Sequence, residues 1–518
     1  MTEVTPGPDE DGRRRLDPGI IEPAAVDMVP AAMAVQFGVV PIKVKDDLLT
    51  IAVAEPLDVA AQELLSFTSG CALEPVLCDG REIQAAISRV YSSRAALDKE
   101  VAPAGHGAPP VEYLESMIER DPESVDVEDG YIVDLVDNLI SRAVDRRASD
   151  IHISPKMGDT RVRLRIDGVL SDLEKIPGDL HNAVVSRIKI LAVLDIAERR
   201  RPQDGAIYIR YRAMDIDLRV AVAPTIHGES VTLRVLHQSK AGVRLDELGF
   251  EAADLERTAR AIEEPFGFVL STGPTGSGKT TTMYAVLNRI NTPEKKIVTI
   301  EDPVEYRLGE IDQMQVNPGI GLSFAPLLRS VLRQDPNVIL VGEIRDGETA
   351  GTAVQAALTG HLLLSTLHTT DAPEVLLRLM EIGVEYYYVR EVVKLIIAQR
   401  LVRRLCVECR VERLPSAAEA AEMGLSHAAG VTVFSPGGCD LCGGTGYRDR
   451  TGVFEVMPMT EEVKDLMAPG VRLNAIRDKA VEQGMRTLWQ NAVSKVLAGE
   501  TSLEEIRRTI PRWSGSDA

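Results

Sequence analysis

Eight consecutive residues, Gly273-Pro274-Thr275-Gly276-Ser277-Gly278-Lys279-Thr280, fit the pattern G-x-x-x-x-G-K-[ST]. Glycines at these positions let successive backbone N–H groups turn inward onto phosphate oxygens. The apolar run at 268–270 reads as a strand entering the loop. Residues from Thr281 to Arg289 read as a helix leaving it, and the start of that helix adds positive potential. In that setting the loop through Thr281 holds a nucleoside triphosphate, Lys279 reaches its β- and γ-phosphates, and Thr280 offers a hydroxyl to Mg²⁺. Such a loop needs acids from neighbouring strand ends. The run 297–300 ends in Glu301-Asp302-Pro303-Val304-Glu305, and 338–341 ends in Gly342-Glu343-Ile344-Arg345-Asp346. One carboxylate is expected to hold Mg²⁺ and another to aim the attacking water, with Glu301, Glu305 and Glu343 as the candidates. A further strand at 362–364 is flanked by His361 and His368, and a histidine beside a γ-phosphate can sense its loss.

A second chemistry lies further on. Cys406-Val407-Glu408-Cys409 and Cys439-Asp440-Leu441-Cys442 stand 29 residues apart. Two C-x-x-C pairs make a tetrahedral thiolate site of the kind Zn²⁺ takes in a closed structural position, with no ligand place left for catalysis. Cys71 and Cys78 sit far from these and read as ordinary buried cysteines.

The elements that position these groups follow from pattern. The chain has 518 residues, 58 Lys+Arg against 78 Asp+Glu and hence a net charge of −20; 45% of it is apolar and 26% charged. That balance excludes a wholly disordered chain and argues against nucleic acid as the main partner. No uncharged apolar run of membrane-spanning length occurs, and the N-terminus lacks a signal-peptide core, so the chain is expected in the cytoplasm. We read residues 1–20 as a disordered tail, 21–97 as a compact α+β domain, 98–125 as a linker, 126–242 as a second α+β domain, and 243–400 as an α/β core with a mostly parallel sheet. Residues 401–446 carry the cysteine module, and 447–518 read as mainly helical. In the second domain Ile132, Leu135, Val136, Leu139, Ile140 and Ala143 keep helical spacing. Val162, Leu164 and Ile166 alternate before the turn Asp167-Gly168.

Taken together, GPTGSGKTTT, VTIEDPVEY (298–306), NVILVGEIRD (337–346) and TGHLLLSTLHTTDA (359–372) resemble the Walker A, aspartate, Walker B and histidine boxes of the type II secretion and type IV pilus assembly ATPases. Upstream, ASDIHISP (148–155), RLRIDGVL (163–170) and RRPQDGAIY (200–208) are similar to that family's second N-terminal domain. The resemblance implies a RecA-like ATPase core behind a PAS-like domain, with a docking domain before them and a zinc module and helices after. It implies Glu305 as the catalytic glutamate, Glu343 as the support for Mg²⁺, and His361 and His368 as couplers of phosphate state to movement. It also implies that Arg219, Arg234, Arg329 and Arg333 face nucleotide, some across a subunit boundary. The family assembles as a homohexamer at the inner membrane, docks on the cytoplasmic part of a membrane-anchored assembly protein through the region matching 21–97, and drives a membrane platform protein; its tetracysteine module is implicated in that last contact. Some relatives bind cyclic di-GMP through repeated Arg-Leu-Gly motifs. Here only Arg15-Leu16-Asp17 stands in that place, which speaks against such control.

Overall fold

The computed structural model describes Leu16, most of residues 21–87, and residues 111–114, 129–237, 242–426 and 430–511. The expected tail apart from Leu16, most of the linker, and the acidic stretch before residue 129 lie outside these residues. The chain divides into two compact units, one of residues 1–108 with 122–131 and one of 109–121 with 132–518. Among the described residues no helix is long and apolar enough to cross a membrane.

The first unit is built on a three-stranded sheet. Val39–Lys45 pairs antiparallel with Leu48–Val53, which runs parallel to Ala72–Leu77. Cys71 and Cys78 are buried there, as expected.

The second unit opens with a seven-stranded sheet in the order Glu112–Tyr113, Gln203–Tyr211, Met214–Thr225, Gly228–His237, Asp150–Pro155, Asp159–Ile166, Val169–Pro177. Glu112–Tyr113 was expected to be linker; it forms an edge strand instead. The alternation of Ile216, Leu218, Val220 and Val222 with polar residues is what a one-sided sheet requires, and all four are buried. The helix Asp129–Asp145 covers that face with Ile132, Val136, Leu139 and Ile140, so the apolar stripe read from the sequence is its packing surface. Asp167 and Gly168 both take positive φ, the hairpin turn the dipeptide predicts.

The core follows. Its strands are β1 (Gly267–Thr272), β2 (Ile297–Glu301), β3 (Asp312–Gln315), β4 (Val338–Val341), β5 (Leu362–Leu367), β6 (Val393–Leu405) and β7 (Tyr447–Pro458), in the sheet order β3-β2-β4-β5-β1-β6-β7. The first six are parallel, and β6–β7 is antiparallel. All the residues of β1, β2, β4 and β5 are buried, which is why they carry apolar runs and no alternation with charged residues.

Two sequence-based expectations change here. Residues 401–405 belong to β6, so the core sheet runs past residue 400. Residues 447–458 form β7 rather than helix, and the helices begin only at Glu461. The cause is burial on both faces. The middle of β7 is buried throughout and packs against the helices Ala372–Glu381 and Leu488–Leu497, so no period of two survives in its sequence. The cysteine segment is therefore the connection of the β6–β7 hairpin.

Candidate active site and cysteine centre

The phosphate loop leaves β1 at its carboxyl end and enters α1 (Lys279–Ile290). Gly273, Gly276 and Gly278 all have positive φ, a backbone that residues with a Cβ adopt only with strain. Lys279 is only 8% exposed, and its ammonium donates to the carbonyls of Gly273 at 2.7 Å and Pro274 at 3.2 Å. The Ser277 hydroxyl is buried without a partner. A buried ammonium held by loop carbonyls and an unmatched hydroxyl are the groups that a bound polyphosphate would satisfy, so the residues fit that ligand. Burial pulls the Lys279 pKa down to about 8, with the Glu343 carboxylate opposing the fall and Arg400 adding to it.

Because β2, β4 and β5 are parallel to β1, the segments leaving their carboxyl ends bring Glu305, Glu343 and His368 to the same end of the sheet as the loop. Glu343 is paired with Arg345, and its other oxygen lies 3.5 Å from His368 Nε2. Thr280, the next residue after Lys279, is exposed. Glu305 pairs with Arg219 at 3.2 Å, and the same guanidinium donates to the Val304 carbonyl, so a side chain from the preceding domain clasps the loop after β2.

Other expected residues are placed differently. His361 sits at the amino end of β5, where its carbonyl accepts from Gly267 and its Nδ1 lies 2.9 Å from the Ala356 carbonyl. Seven rises along β5 separate it from His368, about 23 Å at 3.3 Å per residue, so it lies at the far end of the sheet from the phosphate loop. Glu301 is 3% exposed and its carboxylate accepts from Tyr284, Thr299 and Gln313; burial raises its pKa. It anchors the end of β2, and we do not place it on nucleotide. Arg234 is the cross-strand neighbour of Arg219 but is held by Asp150 at 3.2 Å. Arg329 pairs with Glu348 at 2.8 Å and Arg333 donates to the Arg329 carbonyl at 2.8 Å, so neither engages the loop of its own chain.

Sequence reasoning missed Gln399, whose amide donates to the Ser277 carbonyl at 2.8 Å and accepts from Ser271 at 3.0 Å. No local signal marks it, because it comes from a strand more than a hundred residues downstream of the loop it touches.

Cys406, Cys409, Cys439 and Cys442 converge with all four sulfurs within 4.8 Å of one another. The 406–439 and 409–442 separations are 3.8 Å and the 439–442 separation is 3.7 Å. A tetrahedron with metal–sulfur bonds of about 2.3 Å has edges of about 3.8 Å, which these three separations match, so the four thiols could hold a metal ion. Burial raises the Cys442 thiol pKa, but N–H donors from Cys439 and Gly446 outweigh it and bring the thiol below its ordinary range. Cys406 directly follows β6 and Cys442 precedes β7 by five residues, so such a metal would close the end of that hairpin.

The chain is similar to known proteins along most of its length. The profile of the type II/IV secretion system protein family matches residues 125–508, and that of the MshEN domain matches 14–97. The type IV pilus assembly ATPase PilB of Myxococcus xanthus is 40% identical over 496 residues, 94% of this chain and 86% of that one. The type II secretion system protein E of Xanthomonas campestris is 41% identical over 478 residues, 91% and 83% of the two chains. The X-ray structure of the Legionella pneumophila ATPase DotB superposes with a TM-score of 0.54 at 22% identity, over 72% of this chain and 94% of that one, a likeness of fold.

Proposed function

Since the chain belongs to the type II/IV secretion system protein family and is an ATPase of that family, we propose that it works as a homohexameric motor whose ATP hydrolysis powers assembly of a pseudopilus in type II secretion. The observation that carries this is the phosphate loop with its buried Lys279, set at the carboxyl end of the same parallel strands that lead to Glu343 and Glu305. Pilus extension is the second reading, favoured by the comparable identity to PilB. Deleting the gene and scoring secreted proteins against surface pili separates the two. A scaffold that binds ATP with negligible turnover is disfavoured by the complete set of Lys279, Glu305 and Glu343.

Each residue then has a task. Backbone N–H groups from Gly273 to Thr281 and the Lys279 ammonium hold the triphosphate. Thr280 and Glu343 would hold Mg²⁺, which supplies positive charge to the β- and γ-phosphate oxygens when bound. Glu305 takes the proton of the attacking water once it is released from Arg219. Because Arg219 belongs to the domain at 126–242, movement of that domain against the core opens this clasp and lets the guanidinium turn to phosphate. Arg234 stands beside it for the same use, and Arg329 and Arg333 serve a neighbouring subunit. His368, touching Glu343, reports the loss of the γ-phosphate. In this reading the chain works at the cytoplasmic face of the inner membrane, residues 21–97 dock on the cytoplasmic part of a membrane-anchored assembly protein, and the cysteine module meets the platform protein.

Lys279 must be charged to greet the triphosphate, and in the nucleotide-free chain it loses its proton near pH 8. The kcat/KM for ATP should therefore fall as pH rises above about 8, because this ratio reports the free enzyme. A flat kcat/KM between pH 7 and 9.5 would remove Lys279 from that role.

We assign Zn²⁺ to the four cysteines as a structural ion. Metal analysis of the purified chain should give one zinc per chain, and Cys439→Ser should lose it and lower the melting temperature, since ligands and hairpin fold together. A metal-free chain that melts at the same temperature would contradict this.

A further inference from the structure

The loop that holds phosphate is itself held, and the holder lies on β6. Ser271 and Thr272 at the end of β1 pair with Ile397 and Ala398, so Gln399 is the first residue beyond the paired strand ends and faces the start of the loop. It is 1% exposed. Its Oε1 accepts from the Ser271 hydroxyl and its Nε2 donates to the Ser277 carbonyl, so one side chain fastens the entry of the loop to its far side. Arg400 follows, 8% exposed. One arm of its guanidinium donates to the Gln399 carbonyl at 2.9 Å and the other to the Thr370 carbonyl at 2.8 Å, two residues past His368. The loop glycines are shaped to this pair. A Cβ on Gly273 would lie 2.6 Å from the Gln399 carbonyl oxygen and 3.1 Å from an Arg400 nitrogen, and one on Gly278 would lie 3.1 Å from Gln399 Nε2.

Arg400 is unusual in a further way. Its guanidinium meets carbonyls and, among the described residues, no carboxylate within ion-pair distance, although a buried guanidinium without a close counter-charge is costly. Burial accordingly lowers its pKa, opposed by the more distant carboxylates of Glu455, Asp371 and Glu374. The site beside it is built for anions, and Arg400 adds positive charge behind the same loop that Lys279 serves from within.

We infer that Gln399 and Arg400 are positioning residues for nucleotide: a brace at the end of β6 that fixes the phosphate loop in its binding shape before ATP arrives and ties it to the segment carrying His368. The inference rests on the reading of this loop as the ATP site. A preformed loop binds without first ordering its backbone, so loosening the brace weakens nucleotide binding more than it slows the chemical step.

The test uses full-length chain with Mg²⁺ and ATP, reading KM and kcat from phosphate release and the melting temperature from calorimetry. Gln399→Met keeps the length of the side chain and removes both hydrogen bonds. Gln399→Glu keeps the acceptor for Ser271 but sets an oxygen against the Ser277 carbonyl. Arg400→Lys keeps the charge, but a single nitrogen cannot span both carbonyls. The expected KM for ATP rises about tenfold in Gln399→Met, further in Gln399→Glu and severalfold in Arg400→Lys, with kcat within about threefold of the parent. A residue that merely filled space would leave Gln399→Met near the parent and would not rank Glu below Met. KM values within twofold of the parent in both Gln399 variants, or a loss of kcat at unchanged KM, overturn the inference. Should the Gln399 variants fail to fold, Arg400→Lys decides by the same criterion. A parent chain that binds no ATP sinks the earlier reading of the site, whereas a parent that binds and variants that bind equally well sink only the brace.

Discussion

Replacing Glu305 by Gln should lower kcat by about a hundredfold or more while leaving KM for ATP within a few-fold, because a positioned general base contributes about 10²–10⁴ in rate. The amide keeps the shape of the side chain but cannot accept the proton of the attacking water. Misfolding is not a competing explanation. The substitution removes one ion pair, to Arg219 at 3.2 Å, with both side chains about a quarter exposed. Pairs that open to solvent contribute about 0–1 kcal/mol, so the melting temperature should move little. Phosphate release under saturating ATP measures the rate. Turnover at the parent value would take the proton-accepting role away from Glu305 and leave it as the anchor of Arg219.

Replacing Lys279 by Ala should act earlier, on binding. The ammonium is buried with its hydrogen bonds directed at two loop carbonyls, which it exchanges for phosphate oxygens when nucleotide enters. Two charge-assisted hydrogen bonds at about 1.5–3 kcal/mol each predict a fall in kcat/KM on the order of 10³-fold. The fall should appear equally as lost affinity for a fluorescent ATP analogue in equilibrium titration. Affinity near that of the parent would mean that the backbone of the loop alone carries the phosphates.

Much of this site is legible in the sequence because its parts are local. A strand, a glycine turn and a helix are contiguous, and the acids follow directly on apolar runs that can only be buried parallel strands. The rest depends on distance along the chain. His361 and His368 look equivalent on either side of one strand, yet that strand is six residues long and sets them at opposite ends of the sheet. Glu301 and Glu305 stand in one short acidic segment, but Glu301 ends a buried strand and meets Tyr284, while Glu305 lies beyond the strand and meets Arg219. Strand β7 carries no alternation because both its faces are covered, so its composition could not be told from the helices that follow. Gln399 and Arg400 carry no motif of their own, and only the order of strands β1 and β6 brings them to the loop.

The chain is a motor in this account because acids at adjacent strand tips turn a phosphate cradle into a hydrolytic one. Phosphate release by the purified 518-residue chain, measured with and without Mg²⁺ and over chain concentrations that span assembly, tests this most directly. Steady release that requires both Mg²⁺ and assembly and is abolished in Glu305→Gln is the expected result. Tight ATP binding by the same chain with release no faster than that of Glu305→Gln would contradict it and leave a nucleotide-binding scaffold.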